Sequence, residues 1–262
     1  MSISKSLARF LVRKHKEQKF SGKLLALGKQ FIYATHDEIV DIFRQEDSSY
    51  CYVVPQLQNI SKEKKHQNFI DDLTFFKMLG FDSVHSLDIS SYQGAEILWD
   101  LNKPIPGDLE KSFDFILNGG TIEHVFDIRQ CLDNLSNALK MGGTIFHVAP
   151  VDGYLDHGFV QPSPKLFHSY YKSNSFEEVC SILIENTVDK VNYDKWNYWE
   201  WNAKIARRFF ISERPLMFIY AAKKNNLSTV GVIPIETFDG KNYDRDTNSE
   251  ESPWGLKLID IF

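Results

Sequence analysis

The sequence of 262 residues has few cysteines, no long apolar run and no excess of positive charge. Its three cysteines, Cys51, Cys131 and Cys180, are far apart and lack metal-ligand spacing, which argues against a disulfide framework and a zinc site. No stretch approaches the roughly 18 apolar residues of a membrane helix. A formal net charge of -5 argues against a broad basic face for nucleic acid. We therefore expect a cytoplasmic protein with reduced thiols, no membrane span and no nucleic-acid partner.

What the sequence does contain is an alternation of short apolar segments with segments of helical periodicity. The first five apolar segments are Lys23–Leu27, Ser83–Leu87, Ala95–Trp99, Phe113–Leu117 and Thr144–Val148. Short strands of this kind, separated by helices or loops, are typical of a parallel sheet buried on both faces. We predict an α/β fold, with a Rossmann-like, doubly wound and mostly parallel sheet flanked by helices.

Helical periodicity and capping signals place the intervening elements. The basic amphipathic opening (residues 2–20) is predicted to be a packing helix, and Thr35 with Glu38 forms a capping-box pattern before the next one. Further helices are expected over 66–79, 128–140 and 164–173. We expect one domain over residues 1–224, with an insertion near 46–66, followed by a polar C-terminal extension over 225–262.

Acids and glycines follow the predicted strands at the edge where open parallel sheets bind ligands. Asp88 follows the second strand and suits a ribose diol, because a carboxylate accepts two hydroxyl hydrogen bonds. Asp100 follows the third and suits an adenine amino group, while Gly119 and Gly120 after the fourth allow close approach to the backbone. Each lone Asp can also be a helix cap or turn former, but the set favours a nucleoside site.

The stretch from Gly80 to Phe176 resembles the class I S-adenosylmethionine-dependent methyltransferases. The matching text is LGFDSVHSLDIS, GAEILWDLNKPIP, FDFILNGGTIEHVFD, LDNLSNALKMGGTIFHVAP and DHGFVQPSPKLFHSYYKSNSFE. It covers rather more than a third of the chain and is closest to a bacterial group associated with sugar and polysaccharide modification. The resemblance implies S-adenosylmethionine as cofactor. The strand-end residues that it implies in cofactor binding are Asp88, Ile89, Asp100, Leu101, Asn118, Gly119 and Gly120.

The chain departs from this family after the first strand. There the family has a loop of the form acid-x-Gly-x-Gly-x-Gly, whereas this chain has LALGKQFIYAT. Either Gly28 with the backbone of Lys29 and Gln30 holds the amino-acid end of the cofactor, or binding there is weak or lost. The altered loop sustains an alternative function, that of a non-catalytic, methyltransferase-like binding or scaffold module. A nicotinamide-linked oxidoreductase is less favoured, because no G-x-G-x-x-G follows the strand.

Three residues are candidates for acid–base chemistry if the acceptor is a hydroxyl. His157, in the loop DHGF, is the first choice for the base, and His124 is the second. Glu123 is predicted to orient a histidine or to bind the acceptor, although Glu123 and His124 can also simply begin a helix. His147, within an apolar strand, is interpreted as a core histidine. No second pair of candidate ligands accompanies Glu123 and His124, so the sequence predicts no metal site.

The acceptor is predicted to be a sugar or another small hydroxylated molecule, methylated on oxygen. Candidate substrate-binding residues are Asp156, Phe159, Tyr171 and Trp199. Trp199 belongs to the aromatic segment Trp196–Trp201, which can stack on a sugar or nucleobase, cover the site as a lid, pack as a core helix or mediate a homodimer contact.

Overall fold

The computed structural model describes residues 2–58, 68–187, 195–201, 212–235 and 257–258. The helices are α1 (Lys5–Gln18), α2 (His36–Gln45), α3 (Asp72–Met78), α4 (Ile128–Ala138) and α5 (Pro164–Ser173). The strands are β1 (Ser2–Ile3), β2 (Lys23–Leu27), β3 (Phe31–Ile32), β4 (Ser83–Asp88), β5 (Ile97–Leu98), β6 (Phe113–Asn118), β7 (Leu139–Asp152), β8 (Glu177–Thr187), β9 (Lys195–Glu200), β10 (Leu216–Lys223) and β11 (Lys257–Leu258).

Nine of these strands form one sheet, in the order β11-β9-β8-β10-β7-β6-β2-β4-β5. The pairs from β5 to β7 are parallel, whereas β10 runs antiparallel to β7 and β8, and β9 runs antiparallel to β8 and β11. The chain builds outward from β2 through β4 to β5 and then returns to β6, on the other side of β2. The prediction of a Rossmann-like, doubly wound and mostly parallel sheet is confirmed, and its switch point lies between β2 and β6.

Alternation along β2 shows why this sheet is buried on both faces. Leu24 and Ala26 belong to a core cluster that includes residues of α1, α2 and α3, whereas Leu25 and Leu27 belong to a second cluster that includes residues of α4 and α5. All four side chains are fully buried. Successive strand residues point to opposite faces, so a continuous apolar run fills both cores.

The start of α2 and the orientation of α1 follow from side-chain chemistry. The Oγ1 atom of Thr35 accepts a hydrogen bond from the Glu38 amide (3.3 Å), while the Glu38 carboxylate accepts one from the Thr35 amide (2.9 Å). The predicted capping box of α2 is therefore confirmed. Helix α1 buries its apolar face in the core, as expected for a packing helix, and Arg9 and Arg13 on its polar side pair with Glu46.

Three element boundaries differ from the predictions. Helix α3 starts only after its cap Asp71, and residues 68–71 are not helical. The strand predicted over Ala95–Trp99 is reduced to β5, because the Glu96 carboxylate accepts the Ser86 amide proton (2.8 Å) that a longer ladder would use. Strand β7 begins at Leu139, so KMGG is part of a strand rather than a helix end. Gly142 donates to the Lys224 carbonyl there.

The aromatic segment is a strand and not a helix. Within β9, Trp196 and Tyr198 belong to one core cluster, and Trp199 and Trp201 at its end pack on the other. Both faces of the strand therefore carry aromatic side chains. For this reason the sequence lacks the alternation of apolar and polar residues by which a strand is usually predicted.

The described part of the C-terminal extension packs against the rest of the chain. Asn174 accepts a hydrogen bond from the Val232 amide (3.0 Å) and donates one to its carbonyl (3.0 Å). Strand β11 extends the sheet beside β9. The segments 59–67, 188–194, 202–211, 236–256 and 259–262 lie outside the described residues. They include the end of the predicted insertion and most of the predicted extension. None of the helices among the described residues combines the length and apolarity that a membrane crossing requires.

Candidate functional site

A cavity of about 610 Å³ opens at the carboxyl ends of β2, β4 and β6, at the switch point of the sheet. Ligands bind at this place in open α/β sheets, and the volume lies within the range of small-molecule sites. Ten residues singled out in the sequence line it: Gly28, Asp88, Ile89, Asp100, Leu101, Gly119, Gly120, Glu123, His124 and His157.

Gly28 closes the end of β2 in a backbone conformation that glycine adopts readily. Its φ is +72°, and its amide donates to the carbonyl of Leu87 (2.7 Å), which fastens the ends of β2 and β4 together. A Cβ at Gly28 would lie 3.5 Å from Oδ2 of Asp88 and 3.7 Å from Oγ1 of Thr121. The glycine thus lies directly beside the carboxylate at the end of β4.

The Asp88 carboxylate has one oxygen engaged and the other directed toward Gly28. Oδ1 accepts a hydrogen bond from the Ser90 amide (2.9 Å), which orients the side chain. Oδ2 is the atom nearest to the position of a Cβ on Gly28. This arrangement leaves an oriented carboxylate acceptor at the wall of the cavity.

Asp100 lines the same cavity, but its carboxylate shapes a turn. Oδ1 accepts from the backbone amide of Asn102 (3.0 Å) and from its side-chain amide (2.8 Å), and these bonds lower the pKa of Asp100. Leu101, buried beside it, adds an apolar surface. Oδ1 of Asp100 therefore acts as a turn former, one of the two roles that the sequence allowed for this residue.

Asn118 holds the two glycines in place without reaching the cavity itself. This fully buried side chain accepts from the amides of Thr121 (2.9 Å) and Ile122 (3.1 Å) through Oδ1. Its Nδ2 lies 3.1 Å from Nδ1 of His147, whose Nε2 lies 2.7 Å from the Tyr171 hydroxyl. The implied role of Asn118 in cofactor binding stays a prediction; its side chain does not line the cavity and supports the segment of Gly119 and Gly120.

His147 in this support is neutral. Burial lowers the pKa of its imidazole to about 3. Because Nδ2 of Asn118 can only donate, Nδ1 of His147 accepts, and its proton resides on Nε2, facing Tyr171. The interpretation of His147 as a core histidine agrees with this environment.

Glu123 follows on the same segment and is also buried, but one oxygen of its carboxyl group is not satisfied. It lies in the short 3-10 turn Ile122–His124 and is 1% exposed. None of the described residues forms a hydrogen bond with its Oε2, while Oε1 is 3.7 Å from Nε2 of His157. Burial raises the pKa of Glu123 to about 7.

The loop between β7 and α5 is fastened onto the backbone of Glu123. The Glu123 carbonyl accepts from the amides of Phe159 (2.8 Å) and Val160 (3.2 Å). A Cβ at Gly158 would lie 2.6 Å from that carbonyl oxygen, so only glycine permits this approach. The consequence is that His157 stands opposite Glu123 and His124, with the two imidazole centroids 5.1 Å apart. Burial and the neighbouring His157 lower the pKa of His124.

Two predicted cofactor residues point elsewhere. The Lys29 ammonium lies 3.0 Å from Glu96 and 3.8 Å from Asp72, and Gln30 is buried with its amide nitrogen on the carbonyls of Leu27 (2.9 Å) and Gly28 (3.1 Å). Neither lines the cavity. Of the altered first loop, Gly28 is the residue that lines the cavity. The predicted contact of the Lys29 and Gln30 backbone with the cofactor stays a prediction.

The four predicted acceptor residues are also outside the cavity lining. Tyr171 is fully buried on His147, and Phe159 is exposed and packs edge-on against Phe126. Asp156 is an exposed loop residue with φ +60°, and Trp199 faces the opposite core.

Other side chains, which the sequence did not single out as site residues, form the walls instead. Leu7, Tyr154, Trp196 and Met217 contribute an apolar and aromatic surface. Trp196 lies in the aromatic segment Trp196–Trp201, which the sequence analysis named as a candidate for stacking on a ligand. The sequence did not show which of its side chains face the cavity.

No protein-family model matches the sequence, and no curated protein matches it significantly. Solved structures with some likeness include a methyltransferase dependent on S-adenosylmethionine from Archaeoglobus fulgidus (13% identity, 82% of this chain and 94% of that chain, TM-score 0.42). Another is the 1,6-didemethyltoxoflavin-N1-methyltransferase of Burkholderia thailandensis (10%, 85% and 78%, 0.39). A third is the N-methyltransferase NodS from Bradyrhizobium japonicum (10%, 83% and 94%, 0.40). At these identities and TM-scores, the likeness assigns no function to this chain.

Proposed function

We propose that this chain is a methyltransferase that uses S-adenosylmethionine and methylates oxygen on a small hydroxylated acceptor, most simply a sugar. The observation that carries the proposal is the convergence of the Asp88 carboxylate with the glycine backbone at Gly28 and Gly119–Gly120 on one switch-point cavity. The motifs between Gly80 and Phe176 that resemble methyltransferases supply the residues around it.

The residues present fit the cofactor at its nucleoside end. The Asp88 carboxylate, oriented by the Ser90 amide, would accept the two ribose hydroxyls. Leu101 and the exposed Ile89 on the same wall would contact the adenine faces. The glycines allow the methionine part to pass close to the backbone. S-adenosylmethionine, when bound, would supply an activated methyl group.

The chain's own contribution to the reaction is positioning and proton removal. Aligning the acceptor oxygen supplies much of the rate enhancement of such a transfer. The hydroxyl proton must leave, and three groups line the cavity that are able to receive it: Glu123, His124 and His157. His157, on the loop fastened to Glu123, remains our first choice for the base.

The walls suit a small ring with polar edges. Trp196 and Tyr154 provide aromatic surfaces of the kind on which sugar rings stack, and Met217 and Leu7 exclude water around them. Polar groups of the acceptor would face the histidines. A sugar fits both features, because its ring stacks on aromatic side chains and its hydroxyls can face the histidines.

The competing proposal is a methyltransferase-like module that binds a partner without catalysis. It is favoured by the first loop, where Lys29 is held by Glu96 and Asp72 and leaves only Gly28 at the cavity. Such a module would retain the fold without affinity for the cofactor.

Calorimetric titration with S-adenosylmethionine and S-adenosylhomocysteine separates the two proposals. The enzyme proposal predicts saturable binding that is lost in Asp88→Ala and retained in Asp108→Ala, an exposed acid outside the cavity. Absence of heat at millimolar ligand would contradict it. Equal affinity of Asp88→Ala and the wild type would show that the cofactor lies elsewhere.

A further inference from the structure

We propose that Glu123, His124 and His157 form a binding site for a divalent transition-metal ion. Each offers one ligand atom, and these atoms all lie within 4.8 Å of one another at the cavity wall. The sequence predicted no metal here, because it shows only the adjacent Glu-His pair. The third ligand comes from the loop between β7 and α5, and only the fold brings it there.

The buried carboxyl group is the main argument for a cation. An ionised carboxylate removed from water requires hydrogen-bond donors or a cation. Oε2 of Glu123 has no hydrogen-bond partner, and no Lys or Arg pairs with Glu123 among the described residues. An ion bound between Glu123 and the two imidazoles would provide the missing partner.

The backbone holds the ligands close to the required geometry. Zinc–nitrogen and zinc–oxygen bonds of roughly 2.1 Å place ligand atoms roughly 3.0 to 3.4 Å apart. Oε1 of Glu123 and Nε2 of His157 are already 3.7 Å apart. The hydrogen bonds from Phe159 and Val160 to the Glu123 carbonyl keep the two segments together. Both imidazoles are solvent-exposed side chains, and the ligand atoms, which lie up to 4.8 Å apart, must approach one another by up to roughly 1.5 Å to complete the site.

The donor set indicates the class of metal. Two imidazoles and one carboxylate suit zinc, iron, cobalt or manganese, whereas magnesium and calcium prefer oxygen ligands alone. Three protein ligands leave coordination positions open to the cavity, as in catalytic metal sites. With the ion bound, His124 and His157 would be ligands rather than bases. An acceptor hydroxyl on the ion would then lose its proton to water, since bound cations lower the pKa of oxygen ligands.

The first test is titration of the untagged, chelator-treated chain with Zn²⁺, Co²⁺ and Mg²⁺, followed by calorimetry. We expect a single saturable site for Zn²⁺ or Co²⁺, weaker binding of Mg²⁺, and more than about 10-fold loss of affinity in Glu123→Gln and in His157→Ala. The matched control is His168→Ala, which breaks a His–Glu pair (2.8 Å) outside the cavity and should leave the affinity unchanged. No binding, a preference for Mg²⁺, or equal affinity in all variants would overturn the proposal.

A second test uses the wild type alone, so misfolding of a variant does not affect it. Diethylpyrocarbonate modification, located by mass spectrometry, should be suppressed by Zn²⁺ at His124 and His157 and unchanged at His36 and His168. Equal modification of His124 and His157 with and without the ion would overturn the proposal. Neither test contains S-adenosylmethionine, so the outcome is separate from that of the methyltransferase proposal.

Discussion

The segment 118–124 has two ends that are built in opposite ways. At Asn118 the side chain is fully buried and its polar atoms are bonded to two amides and to His147, which is bonded in turn to Tyr171. At Glu123 the side chain is also buried, yet Oε2 has no hydrogen-bond partner in the described part of the chain, and the facing imidazole of His157 is exposed. We call Asn118, whose side-chain polar atoms have hydrogen-bond partners, the closed end of the segment. Glu123, whose Oε2 has none among the described residues, is the open end.

The difference separates support from function. A buried polar network with every partner present rigidifies its surroundings, and here it fixes the backbone of Gly119 and Gly120. An unsatisfied buried carboxyl group costs stability, and such groups persist where a ligand completes them. The two histidines that face these side chains differ in the same way: His147 is buried with both ring nitrogens bonded, whereas His157 is exposed beside Glu123.

The largest effect is expected when the closed end is opened. Asn118→Ala removes the acceptor of the Thr121 and Ile122 amides and the partner of His147, so several buried groups lose their hydrogen bonds. We expect the free energy of unfolding to fall by about 3 kcal/mol in urea titrations. Asn226→Ala, in an exposed turn, is the control and should change it by less than about 0.5 kcal/mol. A similar, small effect of both would show that the network does not support the fold.

Acid should open the closed end by a different route. The folded-state pKa of His147, about 3, lies below its ordinary value of 6.5, so neutral His147 stabilises the fold fully above pH 6.5. That contribution is lost as pH falls from 6.5 toward 3. At pH 5 the loss in the free energy of unfolding is about 2 kcal/mol relative to neutral pH. Urea titrations from pH 7.5 to 4.5 should give a steeper loss of stability in the wild type than in His147→Gln. Parallel profiles would contradict the buried neutral imidazole.

Removing the far partner of the network is expected to have a smaller effect. Tyr171→Phe deletes only the hydroxyl that lies 2.7 Å from Nε2 of His147 and leaves the ring packed. We expect a loss of about 1.5 kcal/mol in the free energy of unfolding. The exposed Tyr92 provides the matched control, since Tyr92→Phe should leave the stability unchanged. Identical unfolding curves for the two variants would place Tyr171 outside the network.

The open end should tolerate the loss of its charge. Glu123→Gln keeps the side-chain volume and removes a carboxyl group that has no Lys or Arg beside it among the described residues. In the presence of a chelator, we expect a change of no more than about 1 kcal/mol in stability, with a gain as readily as a loss. A loss of more than about 2 kcal/mol would mean that Glu123 is part of the support, like Asn118.

The sequence predicted those parts of the molecule that local patterns determine. Strand β2, helix α5 and the capping box of α2 agree with their predictions because apolar runs, Pro164 and the Thr35–Glu38 spacing act locally. The strand ends with Asp88 and with Gly119–Gly120 follow from the same logic, since a parallel sheet aligns its carboxyl ends.

The rest depends on contacts between distant segments. Lys29 follows a strand end but is drawn to Glu96 and Asp72, neither of which is its neighbour in sequence. Trp196 rather than Trp199 lines the cavity. The sequence could not distinguish them, because the strand that carries them has aromatic residues on both faces. The approach of His157 to Glu123 requires the loop after β7 to fold back, which no local pattern shows.

The most direct test of the switch-point cavity as a cofactor site is amide hydrogen exchange of the wild type with and without S-adenosylhomocysteine. We predict slower exchange in residues 28–30, 88–90 and 119–124 when the ligand is present, and unchanged exchange in α2 and in residues 225–235. Exchange that does not slow in those three segments, or that slows only outside them, would contradict the account.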